Sequence, residues 1–145
     1  MKRVYFNEFN ILMGNTAHFP LVSGLLQGFA LSRPKRAAHD SFEPFLFHID
    51  RRESILDRYE NPSAAAFSFC MWNEQLSLRI ARNVKDRWPD CLIVFGGPQV
   101  PHDPTQFFAD HPFVGVSVRG EGEEPCPDVL EWSPVSSDNA LPAAE

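Results

Sequence analysis

The chain has 145 residues, 43% hydrophobic and 22% charged, with a formal net charge of −6. That length suits one domain able to bury a real core, and the composition is that of an ordinary soluble globular protein. The acidic balance excludes a binder that tracks nucleic-acid phosphates, which needs a basic stripe.

Short apolar runs alternate with helical periodicity along the chain. Val4 to Phe9 reads as a first strand, and Gly14 and Asn15 mark the loop after it. Pro20 suits the first turn of a helix carrying Leu21, Val22, Leu25, Leu26 and Phe29 on one side, ended by Ser32-Arg33-Pro34. Phe42 to Ile49 is a second strand with Pro44 near its start, and Arg51 to Tyr59 a short polar helix or turn. Ala64 to Met71 is apolar on both faces, as in the middle of a covered parallel sheet. Asn73 can cap the helix that follows, whose buried stripe is Leu76, Ile80, Val84 and Trp88. Cys91 to Phe95 is a fourth strand, turned off by Gly96-Gly97-Pro98; Pro104 to Ala109 is a short helix; Phe113 to Val118 is a fifth strand.

This alternation predicts an α/β fold: a flavodoxin-like, doubly wound, parallel five-stranded sheet in the order 2-1-3-4-5, with right-handed crossovers. Ligands of such sheets bind beyond the carboxyl ends of the strands, which directs attention to residues 10–20, 68–73, 96–103 and 119–124. Residues 1–124 form the domain. From Pro125 to Glu145 the chain is rich in Pro and Ser, so a last helix is expected to be weak or missing and 125–145 to be an irregular or disordered tail. Cys70, Cys91 and Cys126 are far apart, odd in number and form no C-x-x-C pair, which favours a reducing compartment over a disulfide framework. No apolar run approaches the roughly 18–20 residues of a membrane span. The N-terminal stretch has no signal-peptide pattern, so the expectation is a cytoplasmic protein without membrane or nucleic-acid partners.

Four segments share one resemblance. Phe67-Ser68-Phe69-Cys70-Met71-Trp72-Asn73, Gly96-Gly97-Pro98-Gln99-Val100, Val118-Arg119-Gly120-Glu121-Gly122-Glu123 and Phe19-Pro20-Leu21-Val22-Ser23-Gly24-Leu25-Leu26 resemble, in order and spacing, the strand-end motifs of cobalamin-binding domains of cobalamin-dependent radical SAM proteins. The resemblance implies a corrin lying across the strand ends with its nucleotide tail in a groove of the sheet. It implies a cobalt that faces a radical SAM barrel, commonly for methyl transfer. The C-x-x-x-C-x-x-C motif of that barrel is absent, so iron–sulfur cluster and SAM belong to a separate or missing domain, supplied in trans or lost from a truncated gene product. The family's D-x-H-x-x-G motif is absent too: Thr16 and Leu21 stand in the Asp and Gly positions around His18.

The candidate cofactor-binding residues are therefore His18, Ser68, Trp72, Gly96, Gly97, Gln99, Arg119, Gly120 and Glu121, with His102 close by position. Each has a plainer reading. Gly96-Gly97 makes a tight turn, Ser68 is a strand serine bonded to backbone, Trp72 packs in the core, His18 lies on the surface, and Glu121 and Glu123 are solvated charges. No catalytic constellation or metal-ligand spacing is visible, so the chain alone is read as non-catalytic. Gly14-Asn15-Thr16 echoes a flavodoxin phosphate loop, which keeps a flavin-binding electron carrier as an alternative. A receiver domain is excluded, because Asn10, Cys70-Met71-Trp72 and Arg119 occupy the places its acidic residues and lysine require. A non-catalytic remnant or interaction module is the remaining alternative.

Overall fold

A computed structural model describes residues 1–11 and 19–131. In chain order the elements are β1 (Lys2–Asn10), α1 (Leu21–Leu31), α2 (Pro34–His39), β2 (Asp40–Phe42), β3 (Leu46–His48), α3 (Arg52–Leu56), β4 (Ala64–Ser68), α4 (Glu74–Arg87), β5 (Leu92–Gly96), α5 (Thr105–Asp110), β6 (Val116–Val118) and α6 (Pro125–Glu131). Every strand pairing is parallel, in the order β2-β1-β4-β5-β6, with β3 beside the later half of β1. Taken as one interrupted strand, β2 and β3 reproduce the expected 2-1-3-4-5 order.

Alternation along the strands sorts side chains onto two faces. On one, Tyr5, Phe9, Phe67, Ile93 and Phe95 pack against Ile55 and Leu56 of α3, Ile80, Ala81 and Val84 of α4, and Phe107 of α5. Phe67 and Phe95 stack at 5.1 Å between centroids, with Phe69 and Phe107 edge-on or tilted around them. Each such ring contributes about 1.5–3 kcal/mol by leaving water. The other face is thinner: Val4, Phe6 and Ala64 meet Ala30 of α1 and Leu130 of α6.

The structure revises the expected elements in four places. The second strand is split, since Pro44 has no N–H to give a ladder, although Glu43 still donates its N–H to Val4 O at 3.0 Å. Pro34 does more than end α1: it sits in the first turn of α2, which the sequence reading missed. The segment from Pro125, expected to be irregular, opens with the short helix α6, whose Val129 and Leu130 are buried. Finally, α1 is rotated from its expected seat. Leu21, Val22 and Leu25 are 69%, 49% and 51% exposed, and the inward line is the buried Ser23 and Ala30 with the half-buried Leu26. The cause is Glu8 of β1. This buried carboxylate accepts both the N–H and the hydroxyl of Ser23 at 2.9 Å, and so pulls that side of the helix inward.

Candidate functional site

The Glu8–Ser23 contact also serves the helix end. Pro20 offers α1 no side-chain cap, and the Glu8 side chain supplies an acceptor to the first-turn N–H of Ser23. With α1 fixed this way, a space remains between it and the exit half of the sheet.

That space follows from residue size. β4 and β5 pair Ala66 with Val94, Phe67 with Phe95 and Ser68 with Gly96. The two Phe side chains fill one face, while Ala66, Ser68, Val94 and Gly96 leave the other hollow. The resulting cleft, about 120 Å³, is walled by these residues, by Phe6 of β1, Val22, Ser23 and Leu26 of α1, Val118 of β6, and Cys126, Val129 and Leu130 of α6. Its exposed lining is mostly apolar, with Asn7, Ser23, Ser68 and Glu123 as its polar residues, and its size is of the order that admits an aromatic ring. Burial pushes the Cys126 thiol up to about 12, reinforced by the carboxylates of Asp40 and Glu123.

Two glycines form the rim, and both also line a second, open recess with Pro98, Val100, His102 and Arg119. At Gly97, φ is +129°, and a Cβ would lie 2.7 Å from Phe69 O. The β4 and β5 exits are zipped there: Phe69 N–H donates to Gly96 O at 2.7 Å and Gln99 N–H to Phe69 O at 3.0 Å. A glycine is thus required at 97 by the neighbouring backbone alone. Gly120 differs: φ is +83°, and among the described residues a Cβ would meet nothing within 4 Å.

Asn73 does not cap α4 with its side chain as expected. Its carbonyl oxygen accepts Cys70 N–H at 2.8 Å, and its amide donates to Phe9 O at 3.1 Å, tying the exits of β1 and β4 together. Trp72 is not in the core and lines neither the cleft nor the outer recess. It is 51% exposed, and its Nε1–H donates to Asn10 Oδ1 at 3.2 Å.

Of the residues singled out in the sequence, Ser68, Gly96, Gly97 and Gly120 therefore open onto one cleft, and Arg119 lines the recess joined to it. Gln99 contributes a backbone bond but lines neither space, and Glu121 is exposed and lines neither. His18 lies outside the described residues. Sequence reasoning missed Glu8, Ser23, Cys126 and Leu130. The available signals were one carboxylate in an apolar strand and one hydroxyl in an apolar helix; α6 gave almost none.

Fold and site define the class: a parallel, flavodoxin-like α/β domain with an apolar cleft at its strand exits. No family model matches the chain. It is 39% identical over 122 residues to a 2-(S-pantetheinyl)-carbapenam-3-carboxylate methyltransferase of Streptantibioticus cattleyicolor. It is 37% identical over 125 residues to TokK of Streptomyces tokunonensis, a cobalamin-dependent radical SAM methyltransferase. Each match covers 84% of this chain, which spans 17% of the length of either relative. Among the described residues, no helix is long and apolar enough to cross a membrane.

Proposed function

We propose that this domain binds cobalamin as a module of a radical SAM methyltransferase system, with the corrin over the strand exits and the nucleotide tail in the cleft. The observation that carries the reading is the cleft itself: an apolar slot opening between α1, α6 and the exits of β4, β5 and β6, with small residues lining its wall. An aromatic base fits such a slot, because apolar burial is its main gain. Ser68 offers a hydroxyl to the tail, Gly96 and Gly97 allow close approach, and the half-exposed Trp72 offers a flat wall to the corrin. Gln99, Glu121 and His18 complete the proposed contacts, the first two from the rim loops. The likeness to TokK supports the same ligand.

The domain's own residues would hold and orient the corrin, and methyl carriage is the chemistry that cobalamin supplies when bound. Iron–sulfur and SAM chemistry would come from a radical SAM domain, for which the exposed Leu21, Val22 and Leu25 offer an apolar contact. The test is retention of hydroxocobalamin through gel filtration, read by visible absorbance. Co-elution at near one equivalent is expected. A folded, monodisperse chain that emerges colourless would end the reading, and a flavin spectrum would replace it.

A further inference from the structure

We propose that Arg119 and His102 form an anion-holding pair at the mouth of the cleft that takes the phosphodiester of the corrin's nucleotide tail. The inference rests on the cobalamin reading and adds a charged anchor to it. Three observations carry it.

First, the apolar cleft and the outer recess meet at Gly97 and Gly120, which line both. A ligand inserted in the slot must leave it past these two glycines. At Gly120 no atom of the described residues beyond its chain neighbours stands within 4 Å of where a Cβ would be.

Second, the recess has a different chemistry from the slot. Among the described residues its walls are Gly97, Pro98, Val100, His102, Arg119 and Gly120, with no carboxylate among them, and the Arg119 guanidinium brings a formal positive charge to it. Glu121, Glu123 and Glu124 follow Arg119 in sequence, yet none forms an ion pair with it among the described residues.

Third, Arg119 Nη1 lies in hydrogen-bond contact with His102 Nδ1. A guanidinium only donates, so the imidazole Nδ1 is the acceptor. The contact joins the exit of β6 to the loop after β5 and leaves further guanidinium N–H groups as donors. A planar guanidinium with spare donors is the side chain best suited to a phosphate oxygen.

The joined spaces thus call for a ligand with a flat apolar end and an anionic group one short step away. The tail of cobalamin has that order: an aromatic base, a ribose and a monoanionic phosphodiester. Cobinamide, the same corrin without base, ribose and phosphodiester, lacks it.

The experiment compares binding of cyanocobalamin and dicyanocobinamide to the full chain, wild type and variants, by tryptophan fluorescence and ultrafiltration. Arg119→Ala is expected to weaken cyanocobalamin roughly 10- to 100-fold, the usual range for losing a charged hydrogen bond, and to leave cobinamide within about twofold. Arg119→Lys should keep part of the affinity, and His102→Ala should lose less than Arg119→Ala. If cobinamide binds too weakly to measure, salt decides. Wild-type affinity for cyanocobalamin should fall between about 0.05 and 0.5 M KCl, and that of Arg119→Ala should stay flat. Equal affinity of wild type and Arg119→Ala for cyanocobalamin overturns the pair's role alone, as does an equal loss for both corrins or an unchanged salt dependence. A folded wild-type chain that retains no cobalamin overturns the pair's role together with the reading beneath it.

Discussion

The same strands build two unlike faces. Toward α3, α4 and α5 the sheet presents Phe9, Phe67, Phe69 and Phe95, packed into a continuous aromatic core. Toward α1 and α6, the matching exit positions are Ala66, Ser68, Val94 and Gly96, and the helices stand off a hollow. Because neighbouring residues of one strand point to opposite faces, the pairs Phe67–Ser68 and Phe95–Gly96 each serve stability on one side and vacancy on the other. A binding slot is made here by what the strands omit, while their other faces hold the sheet together.

The largest expected effect tests the filled face. Phe95→Ala, at a fully buried position, should lower unfolding free energy by about 3–5 kcal/mol in urea titrations. Val94→Ala, one residue earlier and facing the cleft, should cost about 1 kcal/mol and alter cobalamin retention more than stability. Equal losses would erase the distinction. Next come the rim glycines. Gly97→Ala, with its Cβ 2.7 Å from Phe69 O, should destabilise by about 2–4 kcal/mol. Gly120→Ala meets no atom of the described residues within 4 Å and should cost only the roughly 1–2 kcal/mol of its backbone conformation. Thermal melts of the pair check this order.

A smaller effect carries opposite signs. Ala66→Leu should fill part of the cleft, leaving stability unchanged or raised by about 1 kcal/mol, while cobalamin retention falls at least tenfold. Loss of both stability and ligand would mean the slot is already packed. The smallest effect appears at high pH. Burial pushes the thiols of Cys91 on the filled side and Cys126 on the cleft side up to about 12. A folded-state pKa above the unfolded 9.0 gives stability that is full below pH 9 and is lost as pH rises toward 12. Urea midpoints should therefore decline above pH 9. Cys126→Ala and Cys91→Ala should each flatten that slope; a decline unchanged in both variants would assign it elsewhere.

Most of the fold was legible because its long elements follow simple periods. The stripe through Ile80 and Val84 and the apolar run from Ala64 are local patterns, and strand order follows from repeated crossovers. The glycine-bearing exits were legible as well, since strand ends gather by topology. What escaped depends on partners distant in sequence. Nothing near Ser23 announces that Glu8 will turn it inward, so the seat of α1 was misjudged. Asn73 has the composition of a cap, yet it spends both ends of its amide on Phe9 and Cys70. The short helix at Pro125 is fixed by Val129 and Leu130 reaching the sheet, in a stretch whose local composition reads as loop.

The interruption at Pro44 bears on how the molecule behaves in a crowd. One border of the sheet is two three-residue stubs separated by Glu43, Pro44 and Phe45; the other, β6, is also only three residues long. Neither offers an incoming chain a long run of free amides and carbonyls to copy, which is how sheets recruit strangers into fibrils. A domain that exposes leucines along α1 thus guards its flanks, so its encounters fall to side chains and not to runaway strand addition.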